Sequence, residues 1–552
     1  MYARIRNNSI TASPIYFNVA EYCLFGINLG VIIGVILYFI FVNKKYNTVA
    51  GFLFGGKNMS VISISLALIA SHLTSITLLG VPVEIYLRGT QYWASALSLI
   101  VVTFLTAVIY LPVFHKLQLS SSFEYLEIRF STHTRTIAAV LFVISKLMLL
   151  PIVPYVPLLA FRLVTNPLAG RITAVICVSC ATFSAVGGLR AIVSMGIVTT
   201  FLAVAGTALP SGLALLPMGF KRMWEIASHG GRLVLYDPDP ELAHHTSFFA
   251  VTLALSTNWL WKTALSQSTL QKLLAVPTIG KARLCLAISC AGVILMKLLS
   301  CFLGLALYAW YAGCDPLRTG QIKKHEQLVP HFLNNLAAMF PGICGIFIIA
   351  IFSATAGCIA SLINSISGVL FEEFIRPWMP QSTSELTCCK IMKGALSGCL
   401  LSLLLCGWLL IGAENALATG ALTFQGKPLV TSGCGKANFT HIFANMTTII
   451  PNAATQLPVK PLQSLFRISF TYCPFAGAIS VLLIGVPMSY LTGKSRTDSM
   501  NPDVFCPLTQ SFLHKSITRS VSESMEIGAP NTQEVYMALD EALKHLKEVI
   551  ER

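Results

Sequence analysis

Long apolar runs alternate with short polar connectors along this chain, and the runs set its architecture. Sustained hydropathy covers 20–43, 58–80, 91–114, 134–163, 172–187, 190–217, 246–268, 282–312, 342–369, 390–412 and 470–492. A hydrocarbon core about 30 Å thick needs roughly 20 apolar residues in helical form, so these windows predict about eleven transmembrane helices in an all-α polytopic membrane protein. The predicted membrane domain spans 20–492, with a short segment 1–19 before it and a polar loop at 413–469 within it. Beyond it, 493–530 is polar and rich in Ser and Thr, which predicts disorder. In 532–551, Val535, Leu539, Leu543, Leu546 and Ile550 share one helical face, so a short amphipathic helix is expected there, resting on the protein or bilayer or binding a partner.

One run breaks its own pattern. "SLALIASHLTSITLLGVP" (65–82) carries Ser71, His72, Thr74, Ser75 and Thr77 in the middle of an apolar helix. Such groups are costly against lipid, so they predict a face turned to a protein interior or a water-filled path.

Only 11% of the 552 residues are charged while 55% are hydrophobic, which excludes an ordinary soluble domain. The net charge of +15 is dispersed through the connectors and reads as orientation and lipid contact, not as a nucleic-acid face. Lys44 and Lys45, Lys116 and Arg129, Lys272 with Lys281 and Arg283, and Arg376 follow the first, third, seventh and ninth windows, which makes those sides cytoplasmic. The N-terminus and 413–469 are then extracellular and the tail cytoplasmic, so the sequons at Asn7, Asn438 and Asn445 fall where glycosylation occurs. The sixteen cysteines have no metal-ligand spacing and lie mostly in apolar spans, and no cleaved signal peptide precedes the first window. No HExxH, GxSxG or paired intramembrane aspartates argue for an enzyme, and no filter-like repeat argues for a channel.

Six stretches occur in an order that carries a resemblance: "FLFGGKNMS" (52–60), "GVPVEIYLRG" (80–89), "SSFEYLEIRF" (121–130), "AVGGLRAIV" (185–193), "GGRLVLYDPDPELAHHT" (230–246) and "FSATAGCIASLINSISGVLFEEFIRP" (352–377). Together they resemble the sodium/solute symporter family, in the branch of the multivitamin, monocarboxylate and iodide transporters. The resemblance implies a leucine-transporter-like core of two inverted five-helix repeats, the first helix of each broken near the bilayer midplane. Unwound backbone supplies ion ligands at such breaks. The stretch 65–82 lies where the first broken helix belongs.

Carried over by the same resemblance, sodium ligands fall on Ala70, Leu73, Gly357, Ala360 and Ser361, with sodium as coupling ion and no cofactor. Oxygen ligands suit so hard a cation. Ala360 replaces the first of two adjacent family hydroxyls, leaving Ser361 as ligand or as a small packing residue. Substrate positions fall on Ser71, His72, Thr74, Thr77, Trp259 and Gln267. His72 is either a contact for an anionic substrate or a neutral imidazole bonded to a hydroxyl; Trp259 lines the pocket or simply packs; Lys262 snorkels from a helix end. Gly196 and Thr199 stand where the family carries an acid and a Gln, and Leu149 where the iodide branch has an aromatic hydroxyl, which removes ligands of a second sodium site. After "ALATGALTFQG" (416–426) the chain passes straight into "KPLVTSGCGKANFT", so two late helices are missing and the second repeat is incomplete. The expected function is sodium-coupled symport of a small organic anion, a monocarboxylate or a carboxylate vitamin such as biotin or pantothenate, across the plasma membrane. A non-transporting or incomplete paralogue is the alternative.

Overall fold

The computed structural model describes residues 49–165, 168–236, 247–322 and 324–378, with a few isolated positions beyond them. The windows 20–43, 390–412 and 470–492, the loop 413–469, the sequons at Asn7, Asn438 and Asn445 and the helix 532–551 lie outside the described residues.

The first membrane element is a bent pair, α1 (Val61–His72) and α2 (Ser75–Arg88), which meet at 58°. The polar cluster causes the break. Leu73 leaves helical geometry with ψ 120°, Thr74 follows extended, and the Thr74 hydroxyl accepts the Thr77 N–H to start α2. Ser71 turns its Oγ back onto the Ala67 carbonyl at 2.6 Å, a bond that suits the last turn of a helix.

Five longer helices follow: α3 (Thr90–Leu117), α4 (Thr132–Leu158), α5 (Gly187–Leu215), α8 (Ile279–Tyr311) and α10 (Ile343–Ile375). Among the described residues these five are long and apolar enough to cross a membrane, and the bent pair makes a sixth. Windows 172–187 and 190–217 meet at Gly188, whose φ of 54° lets the chain turn between them while Phe52 presses against it.

A second break lies in the window 246–268. α6 (Leu255–Leu260) is flanked by π-helical turns at Ala250–Ala254 and Trp261–Leu265, Ser266 is extended with ψ 126°, and α7 (Gln267–Leu274) begins directly after it. Thr269 Oγ1 donates across the break to the Lys262 carbonyl at 2.8 Å, which satisfies backbone that the interruption frees. The described residues thus contain two interrupted helices.

α10 is central and buried along nearly its whole membrane length. α5 runs beside it, and a Cβ on Gly206 would come within 2.3 Å of the Ala350 Cβ. α1 meets α5 just as closely: a Cβ on Gly196 would lie 2.7 Å from the Ala67 Cα. Small residues permit this backbone approach, the usual basis of packing in lipid. The outward faces of α3, α4 and α5 expose Phe104, Leu141, Met148 and Phe201, as lipid-facing helices do. A further helix, α9 (Leu328–Ala337), lies in the segment between α8 and α10 and packs on α10.

One end is closed by the "GGRLV" loop. Arg232 is buried, donates from Nε to the Tyr86 carbonyl at 3.0 Å and lies 4.3 Å over the Tyr308 ring, while the Tyr86 hydroxyl donates to Asp315 Oδ1 at 2.6 Å. This cluster ties α2, the loop and the end of α8 into one cap.

Candidate functional site

Trp259 is the hub of the first polar group, placed between the two π-helical turns that flank α6 and only 8% exposed. His72, at the last turn of α1, meets it edge to face with ring centroids 5.5 Å apart. The Lys297 ammonium lies 4.6 Å over the same ring and the Lys262 ammonium 5.3 Å over it. Lys297 comes from the middle of α8, is 4% exposed, donates to Ser95 Oγ at 2.8 Å and lies 5.2 Å over the Tyr92 ring. Ring faces carry negative quadrupole, so they hold ammonium groups without neutralising them. None of His72, Lys262 and Lys297 pairs with a carboxylate among the described residues. His72 makes no hydrogen bond there either, so the reading of a neutral imidazole bonded to a hydroxyl finds no partner. The group brings two lysine ammonium groups and one imidazole around one indole, inside the membrane domain.

The second polar group surrounds Ser361 on α10. Lys272, at 1% exposure, reaches from α7 and donates to Ser361 Oγ at 2.7 Å, to Ser268 Oγ at 3.0 Å and to the Ser268 carbonyl at 3.2 Å. The two serine hydroxyls are 2.6 Å apart. Lys272 is therefore no loop cation, although its place after the seventh window makes it look like one. Ala70, Leu73, Gly357 and Ala360 are buried on α1 and α10, which pack against each other. Thr199 of α5 donates to the Ser353 carbonyl at 3.2 Å and packs 3.3 Å from where a Gly357 Cβ would stand.

The remaining sequence candidates divide. Thr74 and Thr77 spend their mutual contacts on capping α2, and Ser71 spends its hydroxyl on its own helix, all within the break that ends at His72. Gln267 is not brought to the Trp259 group. Its Nε2 donates to the Ser120 carbonyl at 2.9 Å and its Oε1 accepts the Ser122 N–H at 2.8 Å, so both ends of the amide hold the loop after α3. A buried amide needs such partners, and here the backbone supplies them. Gly196 has a steric cause: the approach of α1 leaves no volume for an acidic side chain. Lys297 was not among the sequence candidates. Its signal was present as a lone cation in the apolar run "VILMKLLSCF".

Comparison with known proteins fixes the frame for these groups. The profile of the Sodium:solute symporter family matches residues 52–417. The chain belongs to that family. Sodium-coupled monocarboxylate transporter 2 of Mus musculus is 27% identical over 551 residues, covering 90% of this chain and 87% of its own. A putative sodium-dependent multivitamin transporter of Drosophila melanogaster is 30% identical over 364 residues, 65% of this chain and 59% of its own. The fold matches a solved structure, a substrate-bound, outward-open Na+-coupled sialic acid symporter, with TM-score 0.64 and 20% identity over 73% of this chain and 85% of that one. Family membership supports sodium-coupled symport as the class of activity, and these relatives are transporters rather than enzymes.

Proposed function

We propose that this symporter-family chain carries a small organic anion, a monocarboxylate or a carboxylate vitamin such as biotin or pantothenate, across the plasma membrane by alternating access. The observation that carries the reading is the set of cations around Trp259 without a carboxylate partner. Uncompensated charge inside a membrane domain is costly, and a carboxylate ligand offsets it while using the ammonium hydrogens that the rings leave free. The monocarboxylate and multivitamin relatives support the same substrate class. His72 belongs to one interrupted helix and Trp259 to the other, so a ligand at their contact would touch both.

The sodium ligands assigned to Ala70, Leu73, Gly357, Ala360 and Ser361 belong to the family design, and sodium is its coupling ion. Orientation follows from the sequons and the connector charges, with the N-terminus outside and the C-terminus inside. Cys314 adds support: it is disulfide-bonded and follows α8, whose end the alternation of spans puts outside, on the oxidising side. Deglycosylation should shift the mobility of the expressed chain and not of an Asn438→Gln, Asn445→Gln variant.

Uptake of labelled short monocarboxylates, biotin and pantothenate into cells expressing the chain tests the function. Saturable uptake of a carboxylate, competed by other carboxylates and not by cations, is the expected result. A preference for neutral or cationic solutes would overturn it. The second reading, a paralogue that binds without cycling, has its own observation. The alignment with the mouse transporter runs over 551 positions, more than the nine-tenths of this chain that it covers, so part of that relative has no counterpart here. Carboxylate binding without uptake would select that reading.

A further inference from the structure

The oxygen set around Ser361 is shared with a cation the chain already owns. An ammonium has three hydrogens to donate and no lone pair to accept with. The three contacts of Lys272, to Ser361 Oγ, Ser268 Oγ and the Ser268 carbonyl, use all three. The same side chain joins α7, directly after the second break, to α10. A coupling ion at Ser361 would have to use a hydroxyl that this link already occupies.

The groups that would favour an added ion are missing around it. Ala360 has no side-chain oxygen. No carboxylate pairs with Lys272 among the described residues. A sodium ion at Ser361 would face a fixed positive charge on the same hydroxyl, with one ligand fewer and nothing to neutralise the pair.

We propose that the ammonium of Lys272 occupies the place of the coupling sodium ion at Ser361, so that the cation held by that hydroxyl is part of the chain. Sodium is then not bound at this position. The inference rests on the reading of the chain as a transporter, and it concerns the residues present, not the family's general design. The cations stacked on Trp259 are Lys262 and Lys297, not Lys272.

The test reads sodium binding and not uptake, so that a failure of the transport reading and a failure of this one give different results. The purified full chain is unfolded thermally in sodium chloride and in potassium chloride at equal ionic strength. Wild type should melt at the same temperature in both. The Lys272→Met, Ala360→Ser variant, which removes the tethered cation and restores the absent hydroxyl, should gain a sodium-specific rise of about 2 °C, as mass action predicts for a ligand several times above its Kd. A sodium-specific rise in wild type would overturn the proposal by itself, whether or not the variant folds. A folded variant that remains indifferent to sodium would also overturn it, because Lys272 would then not be what holds the position. Carboxylate uptake lost in wild type would count against the transport reading alone.

Discussion

Two lysine environments lie within this membrane domain, and they differ in what their hydrogens touch. Lys272 has three donors and three oxygens of its own chain; Lys297 has one hydroxyl, that of Ser95, and two aromatic faces. Both are buried to a similar degree. Burial alone therefore does not separate a structural cation from a ligand-binding one, whereas an account of donors does. The satisfied lysine behaves as part of the frame, and the lysine with hydrogens left over is the one placed to receive an anion.

Replacing Lys297 should break this contrast most strongly. Lys297→Met should raise the carboxylate concentration for half-saturation about tenfold to a hundredfold, the worth of a charge-assisted contact of about 1.5–3 kcal/mol. Equilibrium binding to purified protein measures it, and unchanged affinity would mean that the spare hydrogens face no ligand. Trp259 should come next. Trp259→Ala removes the ring beneath both ammonium groups and should weaken carboxylate binding about threefold to thirtyfold, from cation–π contacts of about 0.5–2 kcal/mol, while Trp259→Phe should retain part of that. Equal loss in both variants would assign Trp259 to packing.

Gln267→Ala sharpens the comparison from the other side. It leaves the Ser122 N–H and the Ser120 carbonyl without partners and should cost about 1–3 kcal/mol of stability. Carboxylate affinity of the folded fraction should stay at the wild-type value; a parallel loss of affinity would restore Gln267 to the substrate site.

The smallest effect is expected far from both groups. Glu127 lies before α4, and the hydrogen bond from Arg135 holds its carboxyl below the usual carboxylate range. A depressed acid contributes stability above its unfolded pKa, about 4.3 for Glu, and loses it as pH falls through the folded value. Glu127→Gln should flatten that slight acid-side decline in thermal stability, and by little, because the pair is partly exposed. Neither polar group should respond to it.

The sequence made much of this legible and hid the rest for definable reasons. The first break was readable because five polar residues interrupt an apolar window, a pattern that lipid-facing helix does not tolerate. His72 and Trp259, separated by almost 190 positions, came from family resemblance and meet at 5.5 Å. Gln267 shows another limit: nothing in the sequence signals that both ends of its amide bond the backbone of the loop after α3. Lys272 was hidden by hydropathy, since a lysine between an apolar window and two further cations counts as a connector charge unless the fold turns it inward. Gly196 illustrates a third limit. Its departure from the family pattern was visible, but the cause, the passage of Ala67 against it, exists only in three dimensions.

The most direct measurement compares a carboxylate with its own amide. Butyrate and butyramide have nearly the same size and shape and differ in charge, so their binding to the purified full chain isolates what the cations around Trp259 contribute. The account predicts that butyrate binds at least about tenfold more tightly than butyramide, and that the advantage shrinks sharply in Lys297→Met but persists in Lys272→Met. Equal binding of acid and amide in wild type would contradict it.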